Sequence, residues 1–472
     1  MIFVPDFDVL VIGAGPTGLL LANELVLAGV RVAVAEQAIE RTGQSRALSL
    51  QPRSAEILEM RGWLEPIARQ ALAMIPSGHF AGIPVSYAEL DTRFRYQLGV
   101  EQAIVEEYLE GQLDPVLRGQ RLVSVRQDEE TVTATFDGPR ETLTARYLVG
   151  ADGAHSTVRK LLDADFPGRD GRVSMAVADV VLESAFGTWE LPSFDSATPA
   201  FGHLIPLRDG KSRVLFAGPE QQELAREAPI SLAEVQRAVG DRARVERICW
   251  ASRFTDASRQ VSNYRHGRVF LAGDAAHIHL PIGGQGLNLG LGDAFNLGWK
   301  LAAQLGGRAP AGLLDTYHRE RHPVAAATLA STRAQGVLTV PDEDVVALRD
   351  FVSELLSRPE TLREIAERQA GLDVRYELPG IRHPLLGVRM PDVRLADGTW
   401  LSSRFRDGKP VLLGDSGRPV PWVSQVDSPD LARYGVDAGT AVLVRPDGQV
   451  CWVGEDPGAA VAEWFGAPVR PG

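Results

Sequence analysis

Cysteine is the scarcest of the chemically versatile residues in this 472-residue chain: only Cys249 and Cys451 occur, in distant regions. Two isolated thiols exclude a disulfide framework and a thiolate metal site, and they suit a reducing compartment. Basic residues are in deficit, 49 Lys+Arg against 61 Asp+Glu, for a net charge of −12. That balance argues against a nucleic-acid binder that tracks phosphates and against adhesion to anionic membranes. Long hydrophobic runs are missing too. The most apolar stretch, Val9 to Asn23, is broken by Gly13, Gly15, Pro16 and Gly18 and is too short to cross a bilayer. The opening MIFVPDFD carries Asp6 and Asp8 and no basic residue, unlike a secretory leader. These absences predict a soluble cytoplasmic protein with neither nucleic acid nor membrane as partner; a monomer or homodimer is the expected assembly, which the sequence itself does not set.

What is present is ordinary globular composition, 44% hydrophobic and 23% charged, in a chain long enough for several domains. The first 36 residues read as one βαβ unit: DVLVI is a buried strand, Thr17–Ala28 has helical periodicity, Gly29 stops the helix, and RVAVA is a second strand ending at Glu36. Residues 41–73 look helical, 76–100 and 171–262 strand-rich, and RLVSVRQDEETVTATF with ETLTARYLVGADG reads as a meander. RVFLAGD returns to the buried-strand style, a Gly-rich loop and a helix follow, and 313–372 is helical. Past residue 385, strands and turns dominate, including a hairpin over Pro446-Asp447-Gly448.

Three motifs carry chemistry. In Gly13-x-Gly15-x-x-Gly18 the first glycine allows a tight turn, the second lets backbone approach a pyrophosphate, and the third lets the helix pack on the sheet. The helix N-terminus offers N–H groups to phosphate. Glu36 is placed to accept from ribose hydroxyls and disfavours a 2′-phosphate, so FAD or NAD fits and NADP does not. Strand, turn, helix and distal acid together leave a plain glycine turn about one chance in twenty. The second motif, Ala272-Gly273-Asp274-Ala275-Ala276-His277, puts a carboxylate at a strand end, where it suits a polyol; helix capping is the bland alternative. The third, Leu280-Pro281-Ile282-Gly283-Gly284-Gln285-Gly286-Leu287-Asn288, is uncharged and leads into a helix whose N-terminus suits an anionic flat ring.

Together with YLVGADGAHSTVRK, these motifs resemble the single-component flavoprotein aromatic hydroxylases of the p-hydroxybenzoate and phenol hydroxylase family. Further detail in RTGQSRALSL, GHFAGIP, SRQVSNYRHGRV and LLDTYHRERHPV looks closest to the hydroxylases of angucyclinone-type aromatic polyketides. The resemblance spans nearly the whole chain. It implies an α/β fold in which a Rossmann-type FAD domain (1–75, 101–170 and 263–335) is interleaved with a β-sheet substrate domain (76–100 and 171–262). A helical connection (336–385) and a thioredoxin-like C-terminal domain (386–472) follow, the latter with no CxxC. The implied activity is NADPH-driven hydroxylation (NADH also possible) of a phenolic polycyclic aromatic with O₂, through a flavin C4a-hydroperoxide.

The resemblance assigns Gly13, Gly15, Gly18 and Glu36 to the ADP half of FAD and makes Pro16, Thr17 and Gln37 further cofactor-binding candidates. Arg46, Gln102 and Asp152 become cofactor contacts, and Asp274 holds the ribityl chain. Pro281, Gly284, Gly286, Leu287 and Asn288 line the flavin. Pro281, Gly284 and Arg46 are the implied catalytic group. GVEQAI departs from relatives that carry Pro before the glutamine at 102. Phe80, Phe201, Trp250 and Phe254 are candidates to stack on substrate, each with core packing as its alternative. No metal is expected: His277 and His279 lack a third ligand, and Arg319 breaks the HExxH pattern between His318 and His322. Rifampicin-type drug inactivation, Baeyer–Villiger oxygenation and a flavin-less escort protein on the same fold are the competing readings.

Overall fold

The computed structural model describes residues 4–184, 189, 201–340, 342–378, 382–414, 422–427, 431–437 and 439–466. Its centre is a sheet in the order Arg265–His266, Val269–Leu271, Thr142–Gly150, Phe7–Ile12, Val32–Glu36, Leu117–Arg118. The four pairings from Val269–Leu271 to Leu117–Arg118 are parallel. Continuous apolar runs make this possible: Val9, Leu10 and Val11 are at most 1% exposed because helices cover both faces. The meander is as expected, but its last strand, Thr142–Gly150, is also a central parallel strand, while Val132–Asp137 and Arg121–Gln127 extend from it antiparallel.

Helix Pro16–Leu27 opens with Pro in its first turn, where the missing N–H costs nothing. The 21-residue helix Gln285–Leu305 lies against it closely. A Cβ on Gly298 would come within 2.7 Å of Glu24 Cβ, and one on Gly290 within 2.4 Å of Thr17 Oγ1. The expected helical stretch 313–372 is three helices, Thr316–Val337, Glu343–Leu356 and Pro359–Ala370. No helix among the described residues is long and apolar enough to cross a membrane.

A second, antiparallel sheet runs Phe201–Pro206, Lys211–Ala217, Ser174–Leu182, Val245–Thr255. Strand periodicity divides its two faces. Ala176, Ala178, Val180, Leu204, Val214 and Phe216 point to one side and pack under helix Leu232–Val239. Register puts Asp179, Arg213, Trp250 and Phe254 on the other. Arg213 Nη1 donates to the Arg46 carbonyl at 3.2 Å, so this face turns toward the dinucleotide domain.

The C-terminal unit is a four-stranded mixed sheet, Ser424–Val426, Val411–Leu413, Ala441–Val444, Val450–Gly454, backed by helix Pro457–Phe465. Its Val411, Val442 and Val444 share one apolar core with Leu58 and Leu401 and with the central sheet. Buried ions reinforce the seam. Arg61, on the Pro52–Met60 helix end, bonds both Glu24 oxygens at 2.8 and 2.7 Å and reaches the carbonyls of Phe405 and Pro446. Arg445, 0% exposed, donates to both Glu320 oxygens at 2.8 Å, and Lys300 Nζ joins Glu320 at 2.8 Å.

Burial works against the Glu320 carboxylate, yet Arg445 and Lys300 outweigh it and hold its pKa well below the usual value. A depressed carboxylate contributes stability above its unfolded pKa and loses it as pH falls through the folded value. Glu320→Gln leaves two buried cations short of a counter-ion, and we expect a loss of roughly 3–5 kcal/mol. Urea unfolding followed by tryptophan fluorescence measures it; an unchanged midpoint would show that the seam does not depend on this pair.

Candidate active site

The Gly-rich turn after strand Phe7–Ile12 separates two reasons for glycine. Gly13 has φ +106°, and a Cβ there would lie 2.4 Å from the Ala151 carbonyl oxygen, so conformation and contact both require it. A Cβ on Gly18 would lie 2.1 Å from Gly13 O, which is how the helix presses onto the turn. On Gly15 a Cβ would meet no atom within 4 Å. Nothing in the chain's own packing calls for glycine there. The open space adjoins the start of helix Pro16–Leu27, which has no side-chain cap. A phosphate fits that cradle. Glu36 accepts from Ala14 N and Ala38 N, both at 2.9 Å, so it fastens the turn to the end of the second strand. A carboxylate has further lone pairs for ribose hydroxyls.

Strand Val269–Leu271 ends in the turn Gly273–Ala275. Asp274 is exposed there and has no hydrogen bond or ion pair among the described residues, so its carboxylate is available to a polyol. The turn is anchored from behind. Buried Asp293 accepts from Gly273 N at 3.1 Å, His277 Nε2 at 2.6 Å and Arg321 Nε at 2.7 Å. Arg321 and His277 override the burial penalty and keep Asp293 ionised.

The loop at 281–288 is equally well fixed. Gly284 caps the long helix in the left-handed region (φ +65°), with Ser49 Oγ 2.9 Å from where a Cβ would sit. Asn288 does not offer its amide outward. Its Nδ2 donates to Gly284 O at 2.7 Å and its Oδ1 accepts from Gln51 N at 2.8 Å. Gln51 Nε2 holds Gly283 O at 2.8 Å, and Gln285 Nε2 reaches Gln369 Oε1 at 2.7 Å. Pro281 is exposed, Gly286 and Leu287 half-buried, and no acid lies in the helix's first turn. The N-terminus of the helix carries about half a positive charge, suited to an electron-rich ring edge. The phosphate cradle, the free Asp274 carboxylate and the glycine-lined helix start fit FAD.

Comparison with known proteins agrees. The FAD binding domain family matches residues 6–332, and the aromatic-ring hydroxylase C-terminal family matches 383–468. The chain belongs to the FAD-dependent aromatic-ring hydroxylases. It is 44% identical to a rifampicin monooxygenase of Streptomyces venezuelae, over 98% of this chain and 99% of that one. It is 42% identical to a 12-dehydrotetracycline 5-monooxygenase/anhydrotetracycline 6-monooxygenase of Streptomyces rimosus, with the same coverage. Among solved structures, the anhydrotetracycline hydroxylase OxyS of Streptomyces rimosus superimposes with a TM-score of 0.88 at 40% identity, covering 98% of this chain and all of that one.

Other expected residues of the hydroxylase are used in ways their motifs do not reveal. Asp152 caps the short helix Thr157–Leu161, accepting from Ser156 Oγ at 2.5 Å, Thr157 N at 2.7 Å and Val158 N at 3.0 Å. Gln102 Oε1 accepts from Ala47 N at 3.0 Å, tying the 45–47 loop to helix Gln102–Glu110. Thr17 wedges between Gly273 and Gly290. Gln37 and Arg46 are exposed. Arg46, with Arg226 and Lys160, bears electrostatically on His155. Phe80, with Leu362 and Ile365 of helix Pro359–Ala370, packs against the buried cluster that includes Val85 and Ala366. Trp250 and Phe254 share the inner sheet face, and Phe201 begins a strand of the same sheet, its side chain lying outside the described set. His79, one residue before Phe80, accepts from Gly82 N at 3.2 Å; burial and the nearby His203 push its pKa down to about 4, so it is neutral at physiological pH.

Gln51, Asp293, Arg321 and Gln369 were not singled out from sequence. Asp293 alone gave a signal, an acid set among apolar and small residues in GLGDAFNLGWK. The two roles of glycine separate by substitution. Gly13→Ala is expected to destabilise the fold. Gly15→Ala is expected to leave thermal unfolding of the apoprotein unchanged while weakening FAD at least about tenfold. Differential scanning calorimetry and fluorescence titration with FAD check both, and equal FAD affinity in Gly15→Ala would refute the cradle.

Proposed function

We propose that this enzyme uses FAD, NAD(P)H and O₂ to hydroxylate a polycyclic aromatic polyketide, in the cytoplasm. The observation that supports this reading is the match to an anhydrotetracycline hydroxylase over 98% of this chain and all of that one. The flavin, when bound, supplies the oxygen activation. The chain's own residues do the rest. The helix beginning at Gln285 would present its positive N-terminal end to the bound flavin and favour negative charge there, and the anchoring of the loop by Asn288 and Gln51 keeps that end in place. Pro281 and the uncharged loop around it exclude water from the reacting face. Trp250 and Phe254, on the inner sheet face, offer flat apolar surface to a fused-ring substrate. His79, kept neutral, supplies polarity without a buried charge. The cations around His155, Arg46 among them, provide the local positive potential for nicotinamide-cofactor phosphates that an overall charge of −12 does not.

Oxygenation of a rifamycin is the second reading, favoured by the 44% identity to a rifampicin monooxygenase. The test is NADPH oxidation by the FAD-loaded enzyme with anhydrotetracycline, an angucyclinone or rifampicin, and mass spectrometry of the product. Stimulated oxidation with one added oxygen on a tetracyclic ring supports polyketide hydroxylation. Turnover of rifampicin alone transfers the assignment to the second reading, and no stimulation by any of them removes both. Trp250→Ala is expected to raise KM for the preferred polycycle by roughly tenfold, the weight of one lost stacking contact. Steady-state kinetics would expose an unaffected KM.

A further inference from the structure

A cavity of about 260 Å³ lies behind the flavin loops, at the seam of helices Gln285–Leu305, Thr316–Val337 and Pro359–Ala370 with the hairpin at Asp447. Gly13, Gly15, Glu36, Asp274 and Pro281 do not line it, whereas Gln285, Asn288 and Leu289 do, so it backs onto the start of the long helix. One wall is apolar, with Ile57, Leu289, Phe295 and Val324. Deep in it sits Gln449, 4% exposed, whose Oε1 has no hydrogen-bond partner. An unfilled acceptor at that depth is costly unless something donates to it. Arg368, Asp373 and Arg375 are exposed lining residues and form the mouth. Arg375 Nη1 and Nη2 donate to the carbonyls of Leu386 and Pro384, both at 2.6 Å. Carbonyl partners do not neutralise a guanidinium, and no carboxylate pairs with this one among the described residues.

We propose that this cavity binds a one- or two-ring aromatic carboxylate. Its volume, near the lower edge of the roughly 300–1,000 Å³ typical of drug-sized ligand sites, suits one or two rings better than four. A flat ring covers the apolar wall, a carboxylate at the mouth meets Arg375, and a hydroxyl at the far end donates to Gln449 Oε1. Occupancy reaches the flavin by short routes. The lining Arg321 holds Asp293, which holds Gly273 N, and the lining pair Gln285–Gln369 braces the 283–288 loop. The proposal does not rest on the polyketide reading, because its readout is binding.

The probe is 6-hydroxy-2-naphthoate, titrated by calorimetry into the FAD-loaded full-length protein with flavin absorbance followed in parallel. Expected is one equivalent bound, with a perturbed flavin spectrum. Affinity should fall at least about tenfold in Arg375→Gln and in Gln449→Met, hold in Trp250→Ala, and fall similarly for 2-naphthol, which lacks the carboxylate. No binding at millimolar probe, full affinity in Arg375→Gln or in a folded Gln449→Met, or loss confined to Trp250→Ala, which would place the probe in the substrate crevice, overturns the proposal. Arg375 is exposed, so its variant keeps the test decisive if Gln449→Met fails to fold.

Discussion

Asp293 is the point on which the site depends. It is fully buried, ionised and triply bonded: to the backbone of the turn that presents Asp274, to His277 beyond it, and to Arg321 on the next helix. A buried carboxylate persists only where its partners offset the loss of water, and here two partners lie on the turn after strand Val269–Leu271 and the third on helix Thr316–Val337. One charge therefore fixes the end of a central strand, the middle of the long helix and the helix beyond it. Arg321 extends the chain to Tyr376 Oη at 3.2 Å, and so to the C-terminal half.

The cofactor crevice follows from that anchoring. Gly13 and Gly18 bring strand, turn and helix closer than any side chain permits, while the space beside Gly15 is left open by the chain's own packing. At the other end, Asn288, Gln51 and Gln285 hold the glycine loop by its carbonyls, which leaves the N–H groups of the long helix's first turn without intrahelical partners. Rigid polar bracing outside and unsatisfied donors inside are what an electrostatically preorganised site requires.

The C-terminal unit is part of the same solid body. Its strands share the main apolar core, Arg445 carries a buried ion pair to Glu320 across the seam, and Arg61, paired with Glu24, reaches across it to the carbonyls of Phe405 and Pro446. Buried Cys451 has its thiol pKa raised by desolvation, so this sheet holds no reactive thiol, consistent with its lack of a CxxC. Its contribution is to support the helices behind the flavin loops and, with them, to enclose the cavity at Gln449.

The sequence by itself determined what is local. Gly13, Gly15, Gly18 and Glu36 declare a dinucleotide turn because strand, turn, helix and second strand are contiguous, and Asp274 declares itself by following a buried strand. The uncharged loop into the long helix is legible for the same reason. Only the tertiary structure decided what those residues do with their atoms. Asn288 and Gln51 are 237 positions apart, and Gln285 and Gln369 are 84 apart. Asp152 is a cofactor contact by resemblance, and its bonds to residues 156–158, which also fix the start of the helix Thr157–Leu161, are visible only in the folded chain. Phe80 and Trp250 look alike in sequence, yet one packs on a helix and the other shares a sheet face with Arg213, which turns toward the dinucleotide domain. Local backbone geometry is set by neighbouring residues, whereas the partner of a buried charge or amide is set by packing between distant segments, and only the folded chain brings those together.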